Sequence, residues 1–317
     1  MLYPQNRLLA ASLFACLGAA AAGRQPQLIE VGLLPRGTWS VGSAISADGT
    51  AAAGYCRVPS GIRAFHWAIG GPMVDLGVAS MWDTEVYAGA ISADGTAVVG
   101  HTHSFLVTGS HAFRWTAAEG MRDLGYLPGG EWAWANDCSA DGAIVVGGCE
   151  TPDGDRAFRW TASGGLESLG TLPGGASSSA AAVTPDGMVI TGLSDSADGF
   201  QVFRWTAPAG MEGLGRLPGE VMAAGSDISA TGEVIVGTSG DFGGPSRAIV
   251  WTRDEGLREL GILPGYSRSQ ARAISGDGRI IAGFSARGDF HTGTMWLPLL
   301  GMVDANEYLA SAGVDRT

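Results

Sequence analysis

Short apolar stretches separated by Gly-rich turns run along nearly the whole chain, and this spacing predicts β-strands rather than helices. Near the middle of the chain they occupy residues 133–138, 144–148, 157–161 and 166–169. Asp141-Gly142 joins the first two, a pair typical of a tight hairpin because Gly accepts a positive φ. Pro173 then ends the pattern, since Pro cannot donate a hydrogen bond to a continuing sheet. The segment predicts a unit of four short strands.

This unit recurs six times in the same register. Each copy has a Gly after a polar turn, at Gly49, Gly95, Gly142, Gly187, Gly232 and Gly278, and a Trp closing the third strand, at Trp67, Trp115, Trp160, Trp205, Trp251 and Trp296. A Leu-Gly-x-Leu-Pro-Gly motif follows at Leu124, Leu169, Leu214 and Leu260. Four strands in about 45 residues is the size of a propeller blade. The sequence therefore predicts an all-β fold, a β-propeller of six four-stranded blades, with a seventh blade left open.

Two features predict how these units pack. Every unit has Gly or Ala three residues before the apolar residue that precedes the polar turn, as Gly42 stands before Ile45 and Ala88 before Ile91. Small residues at this position suit strands that converge on an axis. The repeated Trp side chains are large enough to pack between neighbouring sheets. Residues 28–31 look like a lone fourth strand, and we expect them to pair with the final blade and close the ring.

The ends of the chain differ from the repeats. Residues 1–23 have the pattern of a signal peptide, because Arg7 precedes an apolar run that small residues follow. Cys16 leaves lipidation as an alternative. Residues 24–300 form the predicted propeller domain, and residues 301–317 a strand and a short helix at 306–312, where the chain could be truncated. We expect an exported protein, extracellular or at the cell surface, or else periplasmic.

The charge narrows the choice of partner. The net charge is −12 and the isoelectric point about 4.7, which argues against binding to nucleic acid or to anionic lipid. No segment after the predicted signal peptide is long and apolar enough to cross a bilayer. We expect a monomer with no transmembrane span.

The sequence His111-Ala112-Phe113 has relatives in other units at Arg63-Ala64-Phe65 and Arg156-Ala157-Phe158. With this motif the repeats resemble the HAF extracellular repeat family of bacteria, named for a His-Ala-Phe motif, and the resemblance covers about residues 28–317. It implies a repeat fold and export, often to the cell surface, but no particular activity.

Side chains that depart from the repeat are the best candidates for function, because residues shared by all units are expected to be structural. We predict that variable loops between the last strand of one unit and the first strand of the next bind a glycan, a peptide or a protein. The aromatic candidates are Trp39, Trp82, Tyr87, Trp132 and Trp134, and the polar candidates are Asp83, Glu85, Asn136 and Asp137. Ordinary packing of these residues is the alternative.

Metal binding has weaker support. The loops after the second strands are rich in Asp, at Asp153, Asp155, Asp195, Asp198 and Asp241, so calcium is conceivable although no complete calcium motif is present. His101 and His103 share a strand face and could hold a metal with Glu85 or Asp83. No other cofactor is expected.

Catalysis is not predicted. There is no Gly-x-Ser-x-Gly motif and no evident base beside a Ser or Cys. Beyond the predicted signal peptide stand Cys56, Cys138 and Cys149, an odd number that allows at most one disulfide. The favoured hypothesis is a non-enzymatic binding module at the cell envelope. The alternatives are a polysaccharide hydrolase or lyase acting through acidic loop residues, and a structural autotransporter-like surface segment.

Overall fold

The computed structural model describes residues 31–104, 109–241 and 244–313. The predicted signal peptide, Cys16 and residues 28–30 of the proposed closing strand lie outside the described residues. The described chain is all-β, with 54% strand and 3% helix. None of its helices is of a length and apolar character that would let it span a membrane.

The strands fall into six consecutive units of four. Unit 1 has β1 (Trp39–Ile45), β2 (Ala51–Val58), β3 (Gly61–Ala68) and β4 (Val74–Asp75); unit 2 has β5 (Glu85–Ile91), β6 (Ala97–His103), β7 (Ala112–Thr116) and β8 (Gly120–Asp123); unit 3 has β9 (Ala133–Cys138), β10 (Ile144–Cys149), β11 (Arg156–Thr161) and β12 (Gly165–Ser168). Unit 4 has β13 (Ser178–Val183), β14 (Val189–Ser194), β15 (Gln201–Thr206) and β16 (Gly210–Gly215); unit 5 has β17 (Met222–Ile228), β18 (Val234–Gly240), β19 (Ser246–Thr252) and β20 (Gly256–Gly261); unit 6 has β21 (Arg268–Ile274), β22 (Ile281–Arg287), β23 (Phe290–Leu297) and β24 (Gly301–Asp304). A helix, α1 (Ala305–Ser311), follows.

Each unit is an antiparallel sheet whose strands pair in chain order. A single parallel bridge, Ile62 to Glu85, joins units 1 and 2 into one eight-stranded sheet, and units 3 to 6 are separate four-stranded sheets. The strands predicted for unit 3 are confirmed to within one residue at their ends. Unit 6 takes its fourth strand, β24, from its own sequence, so residues 28–31 are not needed to complete that sheet.

The first strand of every unit bulges at the same place. The shift in strand pairing comes directly after the Gly or Ala that recurs in every first strand, as between Ala88 and Ala90 or between Gly225 and Asp227. Opposite the bulge, the second strand has a Gly in every unit, at Gly54, Gly100, Gly147, Gly192, Gly237 and Gly283. A Cβ at any of these positions would overlap a carbonyl oxygen of the first strand. The Gly that ends each apolar run is therefore required by close backbone contact.

Most of the apolar core joins consecutive units. Trp115 of unit 2 packs with Ala51 and Ala53 of unit 1. Trp251 of unit 5 packs with Ala182 of unit 4, and units 3, 4 and 6 repeat this arrangement, whereas Trp67 packs within unit 1. The prediction that the repeated Trp side chains pack between neighbouring sheets is confirmed for units 2 to 6.

The polar turn between the first two strands is also shared. In five units an Asp accepts hydrogen bonds from the hydroxyl two residues before it and from the backbone amide two residues after it, as Asp94 does from Ser92 and Thr96. These bonds lower the pKa of the five Asp side chains, Asp48, Asp94, Asp141, Asp186 and Asp277. Unit 5 has Thr231 instead, whose hydroxyl lies 3.4 Å from Ser229 Oγ.

Candidate functional site

Several predicted ligand-binding residues lie on strands rather than in loops. Glu85 and Tyr87 stand on β5, and Trp134 on β9, at positions that alternate with fully buried residues such as Val86. Because successive side chains of a strand point to opposite faces, Glu85 and Tyr87 share the accessible face. The prediction that they belong to variable loops is therefore wrong, and the first strands themselves present them.

A continuous run of aromatic rings crosses units 1 and 2 on this face. The ring centroids of Trp39 and Tyr55 are 6.1 Å apart in an edge-to-face arrangement, and those of Tyr55 and Tyr87 are 5.1 Å apart. The imidazole of His101 stacks on Tyr87, with 5.3 Å between centroids and 23° between planes. Two residues beyond His101 on β6, His103 forms a separate pair with Trp132, with 5.5 Å between the ring centroids. We call these six residues the aromatic surface.

Charged groups border the aromatic surface. The Tyr87 hydroxyl donates a 2.7 Å hydrogen bond to Glu85 Oε2, and Arg57 Nη1 lies 3.7 Å from Glu85 Oε1. Burial, followed by the bond to Glu85, raises the pKa of Tyr87 to about 12, so the phenol stays protonated and keeps donating. Flat rings next to a fixed carboxylate and a guanidinium can stack on a ligand and hydrogen-bond its polar groups at the same time.

Tyr55 and Arg57 are functional candidates that the sequence reasoning missed. A usable signal exists, because Tyr55 follows the Gly that faces the bulge, and this position varies among the units as Tyr55, His101, Gly148, Leu193, Thr238 and Phe284. The strand register pairs Tyr55 with Val41 and His101 with Tyr87. The second strands, β2 and β6, therefore supply three of the six residues of the aromatic surface, namely Tyr55, His101 and His103.

The two histidines contact aromatic rings, and this bears on the predicted metal site. Burial, with a contribution from His103, lowers the pKa of His101 and keeps its ring neutral. Within the described ranges, no group of three or more His, Cys, Asp or Glu side chains is placed to hold a metal ion. The histidines therefore contribute rings to the aromatic surface.

The remaining predicted residues lie in three different settings. Trp82 is 50% exposed in the loop between β4 and β5, outside the run of ring contacts. Asp83 in the same loop is buried, and its carboxylate accepts a 2.7 Å hydrogen bond from the Ser80 amide. The ring of Trp134 covers Gly148 on the next strand, where a Cβ would leave it no room.

Asn136 and Asp137 connect units instead of facing a ligand. Asn136 Nδ2 donates to the carbonyl of Ala180 at 2.7 Å. Asp137 accepts from the amides of Cys138 and Val183, at 2.8 and 2.9 Å. Their polar groups are occupied in holding unit 3 to unit 4, so we do not include them in the site.

The predicted calcium loop of unit 3 is occupied by an arginine. The guanidinium of Arg156 donates to the carbonyls of Asp153, Asp155 and Ala176, at 3.1, 2.9 and 2.6 Å. A positive charge thus lies against the backbone of this loop, which opposes the binding of a cation there.

The three cysteines in the described chain are free and buried. Cys138 and Cys149, which flank one hairpin in the sequence, are not cross-strand partners, since Cys138 pairs with Val145 and Cys149 with Ala133. Burial raises the pKa of both thiols. They behave as small core residues rather than as reactive groups.

No protein-family model matches the chain, and no curated protein sequence matches it. Solved structures resemble its fold. TolB from Acinetobacter baumannii is 15% identical with a TM-score of 0.54, over 78% of this chain and 61% of TolB, so the chain spans less than two thirds of that protein. A putative TolB from Agrobacterium tumefaciens is 17% identical with a TM-score of 0.51, over 73% of this chain and 83% of that one.

An oligogalacturonate lyase, solved in complex with manganese, is 12% identical with a TM-score of 0.58, over 83% of this chain and 75% of the lyase. At such identities a likeness carries the fold and no activity. The chain therefore has β-propeller-like repeats.

Proposed function

We propose that this chain is an exported β-propeller of six blades that binds a glycan through its aromatic surface and catalyses no reaction. One observation carries the proposal, namely the unbroken ring contacts from Trp39 through Tyr55 and Tyr87 to His101. Sugar rings have apolar faces that stack on aromatic side chains, and their hydroxyls need fixed donors and acceptors such as Arg57 and Glu85.

The wider setting of this proposal rests on two further points. Six units follow one another, and each of units 2 to 6 packs on the unit before it, as expected for blades around one axis. Export rests on the signal-peptide pattern of residues 1–23 and on the resemblance to HAF repeats. We place the protein at the cell surface or in the periplasm.

The test is a glycan array that also carries peptides, followed by titration of any hit against single variants. Trp39→Ala is expected to weaken binding about tenfold, because Trp is enriched among the contact residues whose truncation costs more than about 1 kcal/mol of binding free energy. Trp82→Ala is a matched control, since Trp82 and Trp39 are 50% and 44% exposed and only Trp39 belongs to the ring run.

Each other outcome has a defined meaning. Equal affinity of the wild type and Trp39→Ala would remove the aromatic surface from the proposal. A peptide hit that needs Trp39 would keep the surface and change the ligand class. Turnover of a bound glycan would favour the polysaccharide hydrolase or lyase alternative, and an empty array with folded protein would favour a structural surface segment.

A further inference from the structure

A cavity of about 340 Å³ opens between units 5 and 6, on the same side of the first strands that carries the aromatic surface in units 1 and 2. Its walls include β17 and β21, at the strand positions that hold Trp39, Glu85 and Tyr87 in the earlier units. The side chains here are of a different kind. The polar ones are Ser226, Thr238, Ser246, Arg268, Gln270 and Arg272, with Asp241 as the carboxylate among the lining residues.

Arg268 is incompletely paired in this cavity. Its Nη2 donates a 3.0 Å hydrogen bond to the carbonyl of Gly288, whereas its Nε is buried and is the one buried side-chain N or O atom of the described residues without a partner. Leaving a charged donor buried and unsatisfied costs free energy, so the Arg268 guanidinium keeps unused hydrogen-bonding capacity. The equivalent residue of unit 2, Glu85, is paired with Tyr87 and Arg57.

Arg272 lines the same cavity and is held in place by its neighbours. Its Nη2 donates to Gln270 Oε1 at 2.6 Å, and its guanidinium lies over the ring of Phe284, 5.6 Å from the centroid. Gln270 is oriented in turn by a 3.4 Å hydrogen bond from its Nε2 to Ser246 Oγ. The second guanidinium is thus positioned by contacts that are already in place.

The charge of this cavity is opposite to that of the chain. The cavity is lined by two guanidinium groups and one carboxylate, that of Asp241, in a protein of net charge −12. All basic residues of the chain are arginines, and a guanidinium presents a planar set of donors that fits the oxygens of a carboxylate, sulfate or phosphate.

We propose that the cavity between units 5 and 6 is a binding site for an oxyanion group, a carboxylate, sulfate or phosphate carried by a small ligand or a glycan. The guanidinium groups of Arg268 and Arg272 donate to the anion, and the hydroxyls of Ser226 and Thr238 lie in the same wall. This site does not depend on the aromatic surface.

The test is calorimetric titration of the full chain with sodium sulfate, sodium phosphate and sodium galacturonate, each against sodium chloride at matched ionic strength, which removes general screening. At least one of the three anions is expected to bind saturably, and the one that binds identifies the source of the oxyanion. Arg268→Met and Arg272→Met are each expected to weaken that binding at least about tenfold, because each removes a charge-assisted hydrogen bond.

Controls separate this proposal from the aromatic one. Arg279→Met, an exposed arginine of the same unit, and Trp39→Ala are both expected to leave anion binding unchanged. Arg272 is exposed, so its variant should fold even if Arg268→Met does not, which a thermal melt will show. Absence of saturable binding for all three salts would overturn the proposal, as would binding that a folded Arg272→Met retains in full.

Discussion

The first strands of units 1 and 2 and those of units 5 and 6 have the same backbone and different surfaces. Both pairs bulge at the same residue opposite a Gly of the second strand. At equivalent positions, the first pair presents Trp39 and Tyr87, and the second pair presents Met222 and Gln270. The first pair presents rings next to a paired carboxylate, and the second presents an arginine whose buried Nε has no hydrogen-bond partner.

This contrast shows how a repeat separates scaffold from function. The bulge, the facing Gly, the Asp of the turn and the Trp between sheets recur because the backbone and the core require them. The two alternate positions on the accessible face of the first strand make no contribution to the core, so they are free to differ. Binding specificity can therefore change in one unit without a change in the fold.

The largest expected effect comes from the Gly that faces the bulge. Gly100→Ala of unit 2 and Gly237→Ala of unit 5 should each lower the free energy of unfolding by about 1–3 kcal/mol, because the added Cβ would overlap the carbonyl oxygens of Tyr87 and Ala224 respectively. Chemical denaturation measures both. Similar losses would show that the scaffold is the same in the two regions.

Gly42→Ala is the matched control for this pair. Gly42 is also on a first strand, but a Cβ there would meet nothing within 4 Å, so its effect should stay within about 0.5 kcal/mol. If Gly237→Ala were as mild as Gly42→Ala, close backbone contact would not be the reason for the repeated Gly.

An intermediate effect is expected from two buried carboxylates, Asp137 of unit 3 and Asp227 of unit 5. Each accepts an amide of the following unit, Val183 or Ile274. Burial is the main cause that raises the pKa of Asp137 to about 7 and of Asp227 to about 6, from an ordinary 3.8. Between the ordinary pKa of 3.8 and these raised values, the two carboxyl groups bind more protons in the folded state than in the unfolded state. Their contribution to stability therefore falls as pH rises from about 4 to 7.

Melting temperatures measured from pH 4 to pH 8 check this sign. Asp137→Ala and Asp227→Ala place the residue that four other units have at this position, and each should reduce the fall in melting temperature relative to the wild type. Burial lowers the pKa of His101, so its contribution to stability rises with pH. This contribution is the same in the wild type and both variants, and it cancels when their melting temperatures are compared. A wild type that gains stability steadily from pH 5 to pH 7, in parallel with both variants, would refute the assignment.

The smallest effect concerns the turn of unit 5. Thr231→Asp supplies the carboxylate that the other five units have. We expect it to accept hydrogen bonds from the Ser229 hydroxyl and from the backbone amide of Glu233. We expect a rise in melting temperature of about 1 °C. The reverse change in unit 3, Asp141→Thr, should lower it by a similar amount, and a fall with Thr231→Asp would mean that the turns are not equivalent.

The sequence predicted the strands well because each carries its own turn signals. Asp141-Gly142 and Pro173 bound strands that the structure places where they were expected. The sequence did not reveal which side chains meet, since that depends on register between strands and on contacts across units. Tyr55 joins Tyr87 from 32 residues away in the chain.

Contacts across units also explain why the sequence wrongly suggested Asn136 and Asp137 as ligand-binding residues. By residue type and position they resemble ligand-binding groups, because they depart from the repeat and stand beside Trp134. Their partners, Ala180 and Val183, belong to the next unit. Only the packing of one unit on the next shows that these polar groups are already used.

The location of most of the core between units affects how such a chain can evolve. A duplicated stretch of about 45 residues brings with it both faces that such an interface needs, because each unit already packs on one like itself. Neighbouring units therefore contribute to stability largely through the interface that they share. A change at one interface is then felt by the two units that share it, while units further along the chain stay free to acquire a different ligand.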